Sequence, residues 1–472
     1  MTSSIHKTGT TQRPSLDAAI EGLRRAVRGE LLLAGNPAYE EARKIWNAMV
    51  DRHPALILRA QDVSDVVQAV RFAKDHRLPL AVRGGGHNIA GNAVCEGGLM
   101  LDLSRMNSVK VNATTRRAIV GPGATLADLD RETQAFGLVV PTGINSTTGI
   151  AGLTLGGGFG WTTRKFGMTI DNLVSADVVT ANGALVHASE RENVDLFWAL
   201  RGGGGNFGVV TAFEFALHPL GPQVLSGLLV HPLDEAPTLL KQYRRLVAEA
   251  PDELTCWAVM RKAPPLPFIP QEWHGREVLI FALCYAGDMA AGEKAAAPFR
   301  AMGKPIADVV SPHPFAGWQA AFDPLLTPGA RNYWKSHDFV ELGDGAIDAL
   351  LAAAGRLPGP ECEIFIAHVG GAMARVAPEA TAYPQRQSHF IMNVHTRWRE
   401  PTQDETCIGW ARKLARDMAP HAAGSVYVNF MPDDEQDRVQ LAYGANYPRL
   451  AAIKHRYDPD NLFRLNQNIR PS

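Results

Sequence analysis

The chain has 472 residues, 46% of them hydrophobic, with 47 basic side chains against 48 acidic ones and a net charge of −1. Such a length exceeds one ordinary core and predicts two or three domains, while the near-neutral balance excludes the basic footprint of a nucleic-acid or anionic-membrane binder. Five scattered cysteines (Cys95, Cys256, Cys284, Cys362 and Cys407) without a C-x-x-C pair argue against a disulfide framework and a zinc site; with no apolar run long enough to span a bilayer and no apolar secretory stretch in residues 1–14, the expected compartment is the cytoplasm and no metal is expected.

In chain order, residues 1–14 are expected to be disordered. A helix is expected over 15–28, with Ser15 as N-cap and Leu16, Ile20 and Leu23 on one face. A second is expected over 38–49. Val66, Val67, Val70 and Ala73 give a third, ended near Leu78-Pro79. A strand then runs into Arg83-Gly84-Gly85-Gly86-His87-Asn88. Thr125 starts another helix with Asp128 three residues on, and Gly137 stops it. Residues 176–187 form a hairpin around Asn182-Gly183. Pro219 to Pro222 marks a boundary. Beyond it, strands over 225–230, 277–285, 363–368 and 388–398 mix with helices over 234–249 and 345–354, and the Pro-rich run 263–270 is a loop. The pattern is α+β: an antiparallel sheet with helices on one face.

Glycines cluster in the first half, at 84–86, at Gly121 and Gly123, at 149–160 and at 202–208. Glycine lets backbone approach a ligand closely, and successive turn N–H groups form an anion-binding concavity. None of the clusters has the strand, helix and distal acid of a dinucleotide fingerprint. After the third, residues 161–173 have the composition of a loop.

Together these segments carry a specific resemblance. The series R-G-G-G-H-N (83–88), G-L-x-L-D-L-S-x-M-N (98–107), L-T-L-G-G-G-F-G (153–160), R-K-F-G-M-T-x-D-N-L (164–173) and L-R-G-G-G-G-N-F-G (200–208) resembles the flavin-linked oxidases of the vanillyl-alcohol oxidase superfamily. More narrowly it resembles the berberine-bridge-enzyme-like group with a PCMH-type FAD domain, on its bacterial, 6-hydroxynicotine-oxidase-like side. The C-terminal residues Tyr443-Gly444-Ala445-Asn446-Tyr447, Tyr457-Asp458-Pro459 and Asn466-Gln467-Asn468-Ile469 agree. The resemblance implies a tail with helices over 1–50, an FAD-binding domain over 51–221, a substrate domain over 222–423 and a C-terminal segment, 424–472, that returns to the FAD domain.

By the same resemblance FAD is the cofactor, bonded through its 8α carbon to His87. Relatives with a second link carry a cysteine at the position of Asn145, which forms no thioether, so a single link is expected. Backbone groups of Arg83, Gly84, Gly85, Gly86 and Asn88 are expected to cradle the pyrophosphate. Thr142, Gly143, Ser146, Thr147, Gly149 and Gly152 are further FAD-contact candidates. Gly208 and Val210 are candidates for the adenine or ring edge, and Asn466 and Asn468 for closure over the cofactor. Thr154 takes a position where a β-branched residue in the resembling group admits dioxygen, which favours an oxidase.

Strand side chains alternate between faces, so Asn393, His395 and Arg397 share one face of the strand over 388–398. Some relatives carry a carboxylate base at the Asn393 position, and an amide cannot serve. His395 is a candidate because an unperturbed imidazole titrates near pH 6.5; Tyr427 is another. The expected activity is removal of a hydride from a C–H beside oxygen or nitrogen of a small organic substrate, with dioxygen reduced to hydrogen peroxide. The alternatives are a dehydrogenase using another acceptor and a flavin-binding protein without turnover.

Overall fold

The computed structural model describes residues 16–472, so Ser15 and the expected disorder of 1–14 lie outside the described residues. Three large sheets and one two-stranded sheet organise the described residues. In the first, β1 (Glu30–Leu32), β2 (Leu56–Arg59), β3 (Leu80–Arg83) and β4 (Leu99–Asp102) take the order β1-β2-β4-β3. Strand β4 is parallel to both β2 and β3. The helix Val63–His76 covers this sheet through Val66, Ala69, Val70 and Ala73. Asp62 caps its N-terminus by accepting from Ser64 and Asp65 N–H, and Arg77 ends it in the left-handed region.

The second sheet is antiparallel, with order β5-β6-β10-β8-β9. Its strands are β5 (Val109–Asn112), β6 (Arg117–Val120), β8 (Leu173–Val179), β9 (Leu185–Ser189) and β10 (Val209–Ala216); the short β7 (Leu138–Val139) pairs with β11 (His218–Pro219). The expected hairpin is β8–β9, and the expected capping box of Thr125 and Asp128 opens the helix Leu126–Gln134.

The third sheet begins beyond Pro222. Strands β12 (Gln223–Pro232), β13 (Leu254–Lys262), β14 (Glu277–Tyr285), β15 (Ala307–Asp308), β16 (Ser311–Pro314), β17 (Arg331–Phe339), β18 (Glu363–His368) and β19 (Phe390–Trp398) run β15-β12-β14-β13-β18-β19-β17, with β16 also on β12. All pairings are antiparallel. One face, with Cys256, Ala258, Met260, Ile364, Met392 and Val394, packs under the helices Ala236–Ala248, Met289–Arg300, Asp344–Ala354 and Asp404–Met418. The other face carries Trp257, Phe365 and Ile391 and is also buried. Burial on both faces leaves β13 without alternation, Leu254 to Met260 being almost continuously apolar, whereas β17 is hidden by its polar residues, Arg331, Asn332, Lys335, Ser336, His337 and Asp338.

Two further expectations are corrected. Only Tyr39–Ala42 of 38–49 is helical. Past it, Trp46 N–H donates to Gly86 and Ala48 N–H to Ala330, so the amides that would extend the helix serve other segments. Leu16 is 39% exposed, and the buried face of the first helix (Leu16–Ala26) is Ile20 and Leu23 alone. Residues Val426, Tyr443, Leu450 and Ile469 join the core that contains Phe197, Phe207 and Val210. There the buried Lys454 ammonium donates to Asp458 and to the carbonyls of Asn206 and Phe463. No described helix is long and apolar enough to cross a membrane.

Candidate active site

A cavity of about 290 Å³ lies between the glycine-rich loops and the second face of the third sheet. Parallel pairing of β3 with β4 delivers the chain at Arg83 into the loop Gly84–His87. The Arg83 guanidinium turns away from the cavity, to Asp102 and the carbonyls of Ala42 and Lys44. Beyond it the N–H groups of Gly85, Gly86 and His87 make no hydrogen bond among the described residues. Gly85 lies backbone to backbone on Gly149: a Cβ on Gly85 would stand 2.3 Å from the Gly149 nitrogen. Gly149 precedes the helix Ile150–Gly156. Two loops, three free amides and an open face over Gly152 thus form a concavity that side chains would fill.

His87 is partly buried on the cavity wall. Its Nε2 is 3.1 Å from Thr147 Oγ1. The Thr147 hydroxyl donates to Asn145 Oδ1 at 2.7 Å, and the Thr147 N–H holds the same oxygen. A hydroxyl whose proton is so committed accepts from Nε2–H, which leaves the lone pair on Nδ1. Burial pulls the imidazole down to about 4, against the raising effect of a hydrogen bond to the Thr147 backbone, so the ring is neutral at physiological pH. Trp46, which the sequence did not single out, stacks on it.

The loop carrying Thr142 to Thr147 is held by the substrate side. Gln319 Nε2 donates to Thr142 Oγ1, to Gly143 O and to the buried Asp130 carboxylate. Asp323 accepts from Ser146 N–H and its hydroxyl.

The opposite wall is mostly aromatic: Trp161 and Trp257 lie 4.7 Å apart, Trp257 stacks on Phe365, and Phe159 and Phe430 each meet Tyr427 edge-on. One polar patch interrupts it. Asn393 is fully buried with both amide atoms unpartnered, and His395 is 3% exposed with Nε2 unpartnered. His395 Nδ1 lies 3.2 Å from Glu363, whose carboxylate also accepts from Arg261 at 2.7 Å. Burial alone would raise Glu363, but Arg261, His395 and Arg397 outweigh it and hold the carboxyl at about 2. Tyr427 is different. Its phenol oxygen accepts from Gly158 N–H and Asn429, and burial pushes the phenol up to about 12.

The cavity therefore brings together Gly84, Gly85, Gly86, His87, Asn88, Gly143, Gly149, Gly152, Asn393, His395 and Tyr427. It does not take in the others. Thr142, Ser146 and Thr147 support its loop. Thr154 is buried inside the helix, and Gly208 and Val210 lie at the start of β10. Asn466 and Asn468 line a second, polar crevice with Arg52, Asn92, Arg464 and Arg470. None of the five cysteines lines the main cavity. Sequence reasoning missed Trp46, Arg261, Trp334, Glu363 and Asn429. The period-two pattern of β18 sets Glu363 on the face away from Ile364, but no local signal pairs it with His395 or points to Trp46.

Comparison with known proteins finds relatives over nearly the whole chain. Residues 54–189 match the FAD binding domain family, and residues 426–470 match the family described as berberine and berberine like. The chain is 31% identical over 453 residues to an FAD-linked oxidoreductase of Dictyostelium discoideum, covering 94% of this chain and 95% of that one. It is 29% identical to (R)-6-hydroxynicotine oxidase of Paenarthrobacter nicotinovorans over 94% of this chain and 97% of that one. Among solved structures, 6-hydroxy-D-nicotine oxidase from Arthrobacter nicotinovorans superposes with a TM-score of 0.86 at 27% identity, covering 94% and 98% of the two chains. A xylooligosaccharide oxidase from Myceliophthora thermophila does so with 0.84 at 25% identity, covering 96% and 99%.

Proposed function

The chain belongs to the berberine-bridge-enzyme-like, FAD-linked oxidases of the vanillyl-alcohol oxidase superfamily, and from that premise we propose that His87 carries the flavin and His395 takes the substrate proton. The protein is an FAD-linked oxidase acting on a small organic substrate with dioxygen as acceptor. When bound, FAD supplies the hydride acceptor, and its electrons pass on to dioxygen as hydrogen peroxide.

Several features support the assignment of roles. The free amides of Gly85, Gly86 and His87 suit a pyrophosphate. Neutral His87, with Nε2 engaged by Thr147, presents Nδ1 as the nitrogen able to bond the 8α carbon. Asn145 stands where relatives with two links have cysteine, and it serves here as the acceptor that orients Thr147, so the proposed link is single. On the facing wall, His395 Nε2 receives the O–H or N–H proton as the adjacent C–H gives up its hydride, and Asn393 orients the substrate heteroatom. Tyr427 shapes the pocket and anchors Gly158. The aromatic walls exclude water and favour a flat, largely apolar substrate body. Five unpaired cysteines support a reducing, cytoplasmic setting.

The observation that carries this reading is a single cavity with His87 on one wall and the unpartnered Nε2 of His395 on the other. Acid precipitation tests the tether. The pellet should stay yellow for the wild type and become colourless for His87→Ala. A wild-type flavin that moves to the supernatant overturns the role given to His87.

A further inference from the structure

Strands β18 and β19 pair so that Glu363 lies directly opposite His395. Both side chains point to the cavity face, because the flanking residues Cys362, Ile364 and Val394 belong to the core on the helix side. Opposed side chains on adjacent strands stand about 5 Å apart at Cβ, close enough for the 3.2 Å contact between Glu363 Oε1 and His395 Nδ1. Glu363 has a second partner. Arg261, on β13, faces it in register and donates to Oε2 at 2.7 Å. Trp334, opposite His395 on β17, packs edge-on against the imidazole with centroids 4.6 Å apart. The imidazole is therefore held on one side by a carboxylate and on the other by an indole, with Nε2 bare toward the cavity.

We infer that Glu363 is a positioning residue for His395, fixing the tautomer with the proton on Nδ1 and balancing the charge that the ring gains when Nε2 takes a proton. This rests on the role proposed above for His395. An ionised carboxylate accepts only, so the shared proton sits on Nδ1 and the lone pair on Nε2. During turnover the substrate O–H or N–H bond breaks and its proton goes to Nε2. The freed electron pair forms the new double bond to carbon, and the C–H pair leaves as hydride. The protein then holds an imidazolium against Glu363, whose charge is already matched by Arg261. The other charged groups around His395 are Arg397, two residues along its own strand and paired with Glu361, and Glu361 itself, before β18. Those two offset each other. Among the described residues, Glu363 is the one carboxylate in contact with the ring.

The test is nitrogen NMR of the flavin-loaded enzyme labelled with [15N]histidine. The His395 signal is identified by its loss in His395→Gln. In the wild type it should show the Nδ1–H tautomer. In Glu363→Gln its titration midpoint should fall by roughly one pH unit, because a nearby carboxylate favours the protonated ring, and Glu363→Asp should recover most of that shift. A wild-type Nε2–H tautomer overturns the inference. So does a midpoint that is unchanged in Glu363→Gln protein with normal flavin content and melting temperature. Should Glu363→Gln fail to fold, the tautomer in the wild type and in Glu363→Asp decides in its place: Nδ1–H in both supports the pairing, and Nε2–H in either overturns it. If the NMR result holds while His395→Gln leaves flavin reduction by a substrate unimpaired, the proton-acceptor role falls and the pairing stands.

Discussion

The indole of Trp46 lies almost flat on the imidazole of His87, with ring centroids 5.1 Å apart and planes 19° from parallel. Its position is over-determined. The indole N–H donates to Leu326 O, the backbone N–H donates to Gly86 O, and the Arg397 guanidinium lies 5.3 Å from the ring. Trp46 also meets Trp334, which meets His395. One aromatic chain thus runs from the proposed tether to the proposed proton acceptor, and it fixes the orientation of the imidazole at each end.

Trp46→Ala should therefore damage both stability and tethering. Truncating a buried tryptophan costs about 3–5 kcal/mol, and His87 loses the surface that orients it. The expected result is a lower urea midpoint together with flavin released into the supernatant after acid precipitation. A variant that keeps all its flavin in the pellet would show that the stack does not orient His87.

Alanine at Gly85 and at Gly152 should have different effects on stability. At Gly85 the new Cβ meets the Gly149 nitrogen at 2.3 Å, and backbone cannot yield as a flexible side chain can. Gly85→Ala should lose flavin and stability together. At Gly152 no atom lies within 4 Å, and the residue is within a helix. Gly152→Ala should melt no lower than the wild type, since alanine gains up to about 1 kcal/mol over glycine there, while the methyl reaches into the cavity and weakens flavin binding. The ratio of flavin to protein absorbance and the melting temperature separate the two effects.

Asp130 makes stability depend on pH. Burial raises its carboxyl to about 7, and the Gln319 bond offsets only part of that rise. The folded state therefore holds a proton that the unfolded chain releases near pH 4. The associated stability is complete below pH 4, declines as pH rises, and is gone above pH 7, a loss of about 4 kcal/mol at 1.36 kcal/mol per pH unit. Asp130→Asn still accepts from Gln319 and has no such titration. Its urea midpoint should match the wild type near pH 4 and exceed it at pH 8. Equal midpoints at both pH values would contradict the buried-acid assignment.

His395 and Tyr427 should separate in rapid-mixing measurements of flavin reduction with the first substrate that bleaches the flavin. His395→Gln should slow reduction on the order of 10²- to 10⁴-fold, the range of a general base. Tyr427→Phe should change it far less, because a phenol held near 12 is not a base at neutral pH. That variant orphans the Gly158 N–H and should cost about 1–3 kcal/mol of stability. Reversed kinetic effects would transfer the proton-accepting role to Tyr427.

Local chemistry made much of the architecture legible. The Thr125–Asp128 capping box, the Asn182-Gly183 turn and strands β14 and β18 each depend on a few adjacent residues. Strand β13 was not legible: like β14 it is buried on both faces and shows no alternation, but its Cys256, Ala258 and Met260 carry less strand preference than Val278, Ile280 and Phe281 of β14. The 38–49 segment misled for a related reason: its helical composition yields to backbone bonds with Gly86 and Ala330, which are distant in sequence.

The same division runs through the site. By itself the sequence determined the α+β class, the family, the glycine loop that ends at His87 and the strand face shared by Asn393 and His395, since each is written in short motifs or a period of two. Only the tertiary structure decided that Trp46 covers His87, that Glu363 and Arg261 stand behind His395, and that the Tyr427 oxygen is tied to Gly158. Those contacts join residues 41 to 269 positions apart, or cross between strands whose pairing no local pattern specifies. Side-chain orientation and charge there are set by what the folded chain brings alongside, and that is fixed by packing rather than by neighbours in sequence.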